Sequence, residues 1–289
     1  MGAPHGERPT LDRGEPFTPA MAARAGLGRA ELDRLLRSGR LRRLVRGVYI
    51  DADVELTAVL RARAVALRVG RKQVVVDRTA AWIHGAGLVT AAVRLDPVPL
   101  DLHGRRSRLA PAPPYGPEEV LLVGGVRCTS PLRTALDLGQ NFAPERALPL
   151  LDGLLRSGAI THGELIRASA GGDARRPGAA QFRELVALAD PRPVEEAESV
   201  LRLRWMEASL PTPSPGARVA GVRVALALDT QRFGVSLAGQ ISRSDRARLA
   251  ALGWRVLVLH RERVITSDPI FLIEHLEREF HQHLLQQVS

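Results

Sequence analysis

Six arginines lie within a short segment near the start of the chain, and their side chains could bind phosphates. They are Arg34, Arg37, Arg40, Arg42, Arg43 and Arg46. A guanidinium group can donate two parallel hydrogen bonds to a phosphate, so this clustering is typical of a surface that binds a polyanion. The alternative is a solvated helix-and-hairpin face in a chain that uses arginine freely. The clustering favours contacts with phosphates on both sides of a nucleic-acid groove.

Groups that could support metal or covalent chemistry are fewer. His275, Glu279 and His283 recur every fourth residue in a segment that looks helical, a spacing that could bind zinc. The favoured interpretation is a polar outer helix face, because no further ligand completes the set. Cys128 has no recognisable partner base and is interpreted as a packing thiol. Neither a GxxxxGK[ST] phosphate loop nor a dinucleotide fingerprint is present.

The overall composition is that of a globular protein with a basic bias. The chain has 289 residues, of which 45% are hydrophobic and 25% charged, with a net charge of +10. Because Lys72 is the single lysine, nearly all the positive charge is arginine, which either a GC-rich genome or a polyanionic partner would explain. The single cysteine excludes an internal disulfide. No apolar run is long enough for a membrane span or signal core, so we expect a cytoplasmic protein without membrane contact.

The local pattern around the arginines predicts a winged helix-turn-helix. Thr18 can cap a first helix that Gly26 ends, and a second helix fits Arg29–Ser38. The second helix has an apolar stripe facing inward and a polar face carrying two arginines. A basic, strand-like segment with a break at Gly47 follows it. The predicted stripe is formed by Leu32, Leu35 and Leu36.

The rest of the chain predicts a mixed α/β (α+β) fold in further segments. Helices fit about 54–70, 76–85, 130–139, 143–157, 161–169, 181–189, 194–209, 243–252 and 268–287, and strands fit about 118–129, 217–228, 232–238 and 254–260. The expected domains are a flexible tail (1–16), the winged helix (17–52), a mixed α/β middle region (53–170), a linker (171–180) and a C-terminal α/β domain (181–289).

Two regions of the chain resemble one known family. RAELDRLLRSGRLRRLVRGVY (29–49) resembles the winged helix of AbiEi-type antitoxins of type IV toxin–antitoxin systems. TAAWIHG (79–85) and TSPLRTALDL (129–138) resemble signatures of that family's middle region, so the resemblance covers about residues 17–170. It implies an N-terminal domain that binds double-stranded operator DNA and represses the operon, with a cognate toxin as a second partner. Within the last signature, the i, i+4 spacing of Arg133 and Asp137 predicts a structural ion pair.

From about residue 176 the chain resembles a different family, small endonuclease-like domains related to very-short-patch repair enzymes, with the restriction-endonuclease-like PD-(D/E)xK fold. The matching residues include ESVLR (198–202), Asp245 and GWRV (253–256). The resemblance implies a Mg²⁺ site made by converging carboxylates. Glu198 matches the helix carboxylate of that site. The three strand positions of the acids carry Ala225, Ser236 and Ala238.

Other carboxylates do not replace the missing ones. Asp229 shares a strand face with position 225 but lies about 13 Å further along the strand, too far to ligate the same ion. Glu195 and Glu196 are expected to be solvated neighbours of Glu198. We therefore predict a catalytically inactive domain in which Glu198 is vestigial, with no metal and no cofactor.

Three functions are compatible with these observations. The first is a DNA-binding transcriptional regulator or antitoxin-like autorepressor with an inactive nuclease-fold domain. The second is a metal-dependent DNA endonuclease, using Mg²⁺ at a rearranged active site. The third is an interaction scaffold in which neither end module keeps its ancestral role. Metal-dependent nicking separates the second function from the first, and operator binding separates the first from the third.

Overall fold

The computed structural model describes residues 11–70, 73–86, 102–103, 115–171 and 177–288. Helices are interspersed with two- and four-stranded sheets along these residues, which confirms the mixed α/β fold class. Within the described part of the chain, no helix is both long enough and apolar enough to cross a lipid bilayer.

The chain divides into two compact units. The first comprises the described residues of 1–85 and 92–137, and the second those of 86–91 and 138–289. Much of the predicted tail and half of the predicted linker, residues 1–10 and 172–176, lie outside the described residues. Because compact units and inherited modules need not coincide, the domain bounds drawn from the sequence stay a prediction.

The first unit begins with the elements that the sequence predicts for a winged helix. These are helices α1 (Pro19–Arg24) and α2 (Arg29–Arg37) and strands β1 (Leu41–Val45) and β2 (Val48–Asp51). The Thr18 hydroxyl accepts a hydrogen bond from the Met21 N–H at 3.3 Å, as expected of a helix cap. β1 and β2 form an antiparallel hairpin, to which Phe17 adds a bridge with Tyr49.

The apolar stripe of α2 explains how this small module folds. Leu32 and Leu35 are each 5% exposed and pack in a cluster with Phe17, Leu41 and Tyr49. Because this stripe is buried against the hairpin, the polar side of α2 must point to solvent.

Residues 11–16, assigned to the tail from the sequence, contact the same module. The Asp51 N–H donates to the Arg13 carbonyl at 3.0 Å, and the Arg13 guanidinium pairs with the Asp51 carboxylate at 3.0 Å. Glu15 pairs with Arg63 of the next helix. This segment therefore braces the end of β2.

The rest of the first unit is a four-stranded sheet with two helices. Its sheet order is β4-β3-β6-β5, with β3 parallel to β6 and the other pairs antiparallel. The expectation of one strand over 118–129 is wrong, because Gly124 and Gly125, both at positive φ, turn the chain into a hairpin. The elements are α3 (Ala58–Ala66), β3 (Val74–Val75), α4 (Asp77–Ile83), β4 (Leu102–His103), β5 (Val120–Val123) and β6 (Val126–Thr129).

The remaining elements begin with a helix that starts in the first unit and ends in the second. They are α5 (Pro131–Asn141), α6 (Pro144–Arg156), α7 (His162–Ala170), α8 (Ala179–Leu188), α9 (Glu196–Glu207), β7 (Ser214–Val219), β8 (Val222–Leu228), β9 (Phe233–Leu237), α10 (Arg243–Ala251), β10 (Arg255–Leu259), α11 (Arg261–Thr266) and α12 (Pro269–Val288).

The sheet of the second unit has the order β10-β9-β8-β7. β10 runs parallel to β9, and the other neighbours are antiparallel. The expectation of a single strand over 217–228 is wrong, because Ala220 and Gly221 at positive φ form a turn between β7 and β8. The short helix α11 was not expected from the sequence.

Aromatic packing builds the core of this unit. Trp205 of α9 lies 6.0 Å from the ring of Phe233 and 5.7 Å from that of Phe280, measured between ring centroids. Its indole N–H donates to the Pro211 carbonyl at 2.8 Å, so the polar atom of this buried ring is satisfied.

A buried carboxylate joins α6 to α9. Asp152 is fully buried and accepts hydrogen bonds from the Ser199 hydroxyl and the Arg202 guanidinium, both at 2.6 Å. The Asp190 N–H donates to its other oxygen at 2.8 Å. Because the charge and both oxygens of the Asp152 carboxylate are satisfied, this contact links the two helices at a defined position.

Candidate nucleic-acid interface

Two of the six clustered arginines lie on the exposed face of α2, and they differ in whether they already have a partner. Arg34 donates to Glu31 from Nε at 2.9 Å, and this contact lowers the pKa of Glu31. Arg37, one turn further on, is exposed and has no partner among the described residues. Arg37 is therefore the more available of the two for a phosphate or a base edge.

The hairpin carries the other four arginines, and one of them points away from solvent. The Arg42 guanidinium donates to the Val54 carbonyl, and burial lowers its pKa. Arg40, Arg43 and Arg46 are exposed, and the Arg43 guanidinium lies 5.7 Å from the centre of the Tyr49 ring.

A cleft of about 550 Å³ opens between α1, α2 and the hairpin. Arg29, Asp33 and Arg43 contribute its charged lining. The sequence did not single out Arg29 as a lining residue. Arg29 lies at the start of α2 and on the same helix face as Asp33, at i and i+4, and this placement could have indicated it. The cleft, together with the four clustered arginines that are exposed and make no ion pair among the described residues, Arg37, Arg40, Arg43 and Arg46, is called the arginine face. Arg34 is also exposed but is paired with Glu31.

The signature at 129–138 forms a structural cluster. Arg133 pairs with Asp137, which confirms the predicted ion pair, and also with Glu119 at 3.2 Å. Its guanidinium lies 5.2 Å from the centre of the Tyr115 ring. Since Arg133 is only 7% exposed, these contacts leave its charge little access to a ligand.

Cys128 is buried in β6, and burial raises the pKa of its thiol to about 12. The nearest ring nitrogen, His84 Nε2, lies 3.8 Å from its sulfur. That nitrogen also lies 2.7 Å from the Thr129 carbonyl, which can only accept, so Nε2 carries the proton and cannot take one from the thiol. The geometry agrees with a packing role for this cysteine.

In the second unit, Glu198 is 1% exposed, and its carboxylate accepts hydrogen bonds from three residues. Arg223 donates to its two oxygens at 2.6 and 2.7 Å. Gln240 Nε2 donates at 2.6 Å, and the Val194 N–H at 2.9 Å.

Glu195 is also buried, at 6% exposed, so the expectation that it is solvated is wrong. It accepts a hydrogen bond from Gln240 and pairs with Arg261 at 3.2 Å. Glu196 is only half-buried, and burial raises its pKa. Glu195 and Glu198 thus share one amide donor, and each has its own arginine.

The strand positions that the nuclease resemblance assigns to acids carry none. Leu226 of β8 and Val235 of β9 face each other in the antiparallel register. Ala225 and Ser236 are the next residues outward on the two strands, and both are buried. The Ser236 hydroxyl has no hydrogen-bond partner in the described part of the chain. A divalent ion prefers several anionic oxygens, whereas here an arginine already neutralises the one carboxylate of the set. These residues do not fit a Mg²⁺ site.

The three regularly spaced groups of α12 have separate partners. His275 Nδ1 lies 2.9 Å from Arg278, Glu279 pairs with Arg255 at 2.7 Å, and His283 Nε2 lies 2.7 Å from the Gln231 carbonyl. Within the described ranges, no group of three or more His, Cys, Asp or Glu side chains could hold a metal ion.

Comparison with known proteins agrees with the geometry at the N-terminus. Residues 10–50 match a family model described as "Transcriptional regulator, AbiEi antitoxin", which supports a DNA-binding regulator. This match does not reach the middle region or the C-terminal module, so neither the rest of the AbiEi resemblance nor the nuclease resemblance gains support from it.

The chain also has relatives that match over a longer stretch. It is 30% identical over 194 residues to Uncharacterized protein MT2308 of Mycobacterium tuberculosis strain CDC 1551 / Oshkosh and to Uncharacterized protein Rv2248 of strain ATCC 25618 / H37Rv. The alignment covers 64% of this chain and 67% of each relative. The chain belongs to the family of these mycobacterial proteins. No solved structure matches it.

Proposed function

We propose that this protein is a transcriptional regulator that binds double-stranded DNA through the arginine face. The observation that carries the proposal is that four of the six clustered arginines on α2 and its hairpin are exposed and make no ion pair among the described residues. The N-terminal part of α2 would contact base edges in the major groove, and the arginines that follow would contact phosphates on its two sides.

The resemblance to AbiEi-type antitoxins extends the proposal to autorepression of the protein's own operon. In that role the operator is one partner and a cognate toxin protein is the other. A regulator of this kind acts in the cytoplasm, beside the chromosome.

We further propose that the C-terminal module is a nuclease fold without catalysis. The strand order, the helix carrying Glu198 and the parallel β9–β10 pair support this interpretation. Arg223 and Gln240 occupy the oxygens that a metal would need, which counts against the alternative of an endonuclease.

The DNA-binding proposal is tested by fluorescence anisotropy with the duplex upstream of the protein's own gene and a scrambled duplex. We expect Arg37→Glu with Arg40→Glu to weaken binding roughly 100-fold, because two phosphate-facing cations become repulsive. The slope of log affinity against log salt should fall by about 2, one for each arginine that no longer binds a phosphate.

The matched control reverses two exposed arginines of the second unit, Arg167→Glu with Arg218→Glu. This variant carries the same change in net charge and should stay within a few-fold of the unmodified protein. Equal decreases in affinity in both variants would show a general charge effect and contradict the assignment to the arginine face.

A further inference from the structure

A second basic cleft, of about 650 Å³, lies in the second unit between α10, the start of β10 and the end of α12. None of its lining residues contacts Glu198 or Glu195, although Arg243 follows Gln240 by three residues. Arg255, at the start of β10, pairs with Phe233 at the start of β9, whereas Gln240, which binds Glu198, follows the end of β9. A five-residue strand places the two ends about 13–16 Å apart.

The lining of this cleft is positively charged. Three of its side chains are arginines, and none is an aspartate or glutamate. Arg255 is neutralised by Glu279 at 2.7 Å. Arg243 and Arg246, at i and i+3 on α10, are exposed and have no partner among the described residues. Two uncompensated guanidinium groups on one helix face are suited to binding a phosphate.

Trp254 supplies an aromatic surface in the same cleft. Its indole is half-buried and packs against a small cluster that includes Val224 and Leu249. The remaining part of the ring lines the cleft. Its N–H has no acceptor in the part of the chain that the structure describes, unlike that of Trp205. Such a ring can stack on a planar base, because every base has a π face.

The wall formed by α12 contributes no carboxylate to the cleft and is held in place. His283 Nε2 and Gln287 Nε2 lie 2.7 and 2.9 Å from the Gln231 carbonyl. The Gln286 side-chain oxygen accepts from Arg255 at 3.0 Å, which leaves its amide N–H groups available for a base edge.

From these contacts we infer that the cleft binds a nucleotide, with its phosphate on Arg243 and Arg246 and its base on Trp254. A duplex cannot supply such a ligand, because its bases are already stacked on one another. The volume lies within the range of about 300–1000 Å³ that is usual for small-ligand sites. The nucleotide is therefore either free or part of a single strand.

The test uses the whole chain carrying Arg37→Glu and Arg40→Glu, so that the arginine face does not contribute. Adenosine monophosphate, oligothymidylate and inorganic phosphate are titrated separately by calorimetry. We expect Arg243→Gln with Arg246→Gln to weaken nucleotide binding about tenfold or more, and Trp254→Leu to weaken nucleotide binding but not phosphate binding.

The matched control is Arg248→Gln, on the same helix, which pairs with Asp245 at 3.0 Å and does not line the cleft. It should change affinity less than twofold. Binding of adenosine monophosphate identifies a free nucleotide as the ligand, and binding of oligothymidylate alone identifies a single strand. The inference is overturned if neither binds at millimolar concentration, or if Arg248→Gln weakens binding as much as Arg243→Gln with Arg246→Gln does. These outcomes do not depend on whether the arginine face binds duplex DNA.

Discussion

Arg223 holds the Glu198 carboxylate by both of its oxygens, at 2.6 and 2.7 Å, across 25 positions of sequence. Glu198 lies on α9 and Arg223 on β8, so this pair fastens the helix to the sheet. The guanidinium provides the positive charge that the nuclease resemblance would assign to a metal ion. An ion pair therefore satisfies a carboxylate that would otherwise be buried without a counter-charge.

Removal of this cation should destabilise the fold. Arg223→Met leaves Glu198 charged and buried, and we expect the free energy of unfolding in urea to fall by about 2–3 kcal/mol. This is less than the ~3–5 kcal/mol of a fully buried pair, because the Arg223 side chain is 26% exposed. Adding Glu198→Gln should recover part of the stability. Arg218→Met, at the cross-strand partner of Arg223, is the control and should have little effect. If the double variant, Arg223→Met with Glu198→Gln, is no more stable than Arg223→Met, then the unpaired charge of Glu198 is not the cause of the destabilisation.

Purified protein should not nick supercoiled plasmid with Mg²⁺ or Mn²⁺, because Ala225, Ser236 and Ala238 supply no acid. Millimolar Mg²⁺ should also leave the thermal midpoint unchanged, since an ion that does not bind the native state does not stabilise it. Nicking that requires the metal and disappears in Glu198→Ala would support the endonuclease alternative. Nicking that survives in Glu198→Ala reports a contaminating nuclease.

Arg42 and Arg46 should respond differently to alanine substitution. Arg42→Ala removes a partly buried hydrogen bond to Val54 and should cost about 1 kcal/mol of stability, with the salt dependence of DNA binding unchanged. Arg46→Ala removes an exposed cation and should lower the salt slope by about 1 without affecting stability. Urea unfolding and anisotropy at several salt concentrations measure the two effects. The reverse pattern would mean that Arg42 contacts DNA.

His84 should make stability depend on pH in the mildly acidic range. Burial lowers its pKa in the folded state, so the unfolded chain binds a proton more readily. Its contribution to stability is therefore complete above the unfolded pKa of about 6.5 and is lost as the pH falls below that value. His84→Gln keeps a donor for the Thr129 carbonyl and should flatten the pH dependence of the urea midpoint between about pH 7 and 5. If the pH dependence of the urea midpoint is unchanged in His84→Gln, other titrating groups cause it.

The local elements could be predicted from the sequence because their signals are local. Thr18 and the glycines bound α1 and α2, and the leucine spacing indicated which face of α2 is buried. The β7–β8 turn was missed because Ala220–Gly221 lacks the Asn-Gly or Asp-Gly pair that marks a tight hairpin.

The contacts of the candidate sites were less predictable because their partners are distant in the chain. Arg42 and Arg43 are adjacent on a strand and point to opposite faces, but the sequence does not indicate which of the two faces lies near Val54. No residue beside Glu198 in the sequence indicates Arg223 as its partner, and the burial of Glu195 depends on Gln240 and Arg261.

The Asp152–Arg202 contact has a consequence for exchanging modules between genes. A recombination event in the glycine-rich stretch before α8 would give a new protein that keeps Arg202 and lacks its carboxylate on α6. Such a hybrid would keep only the longer contact of Arg202 with Asp190, at 4.0 Å, and its buried cation would lose its closest counter-charge, which destabilises the fold. Crossovers that include α6 avoid this cost, so α6 and α9 should be inherited together.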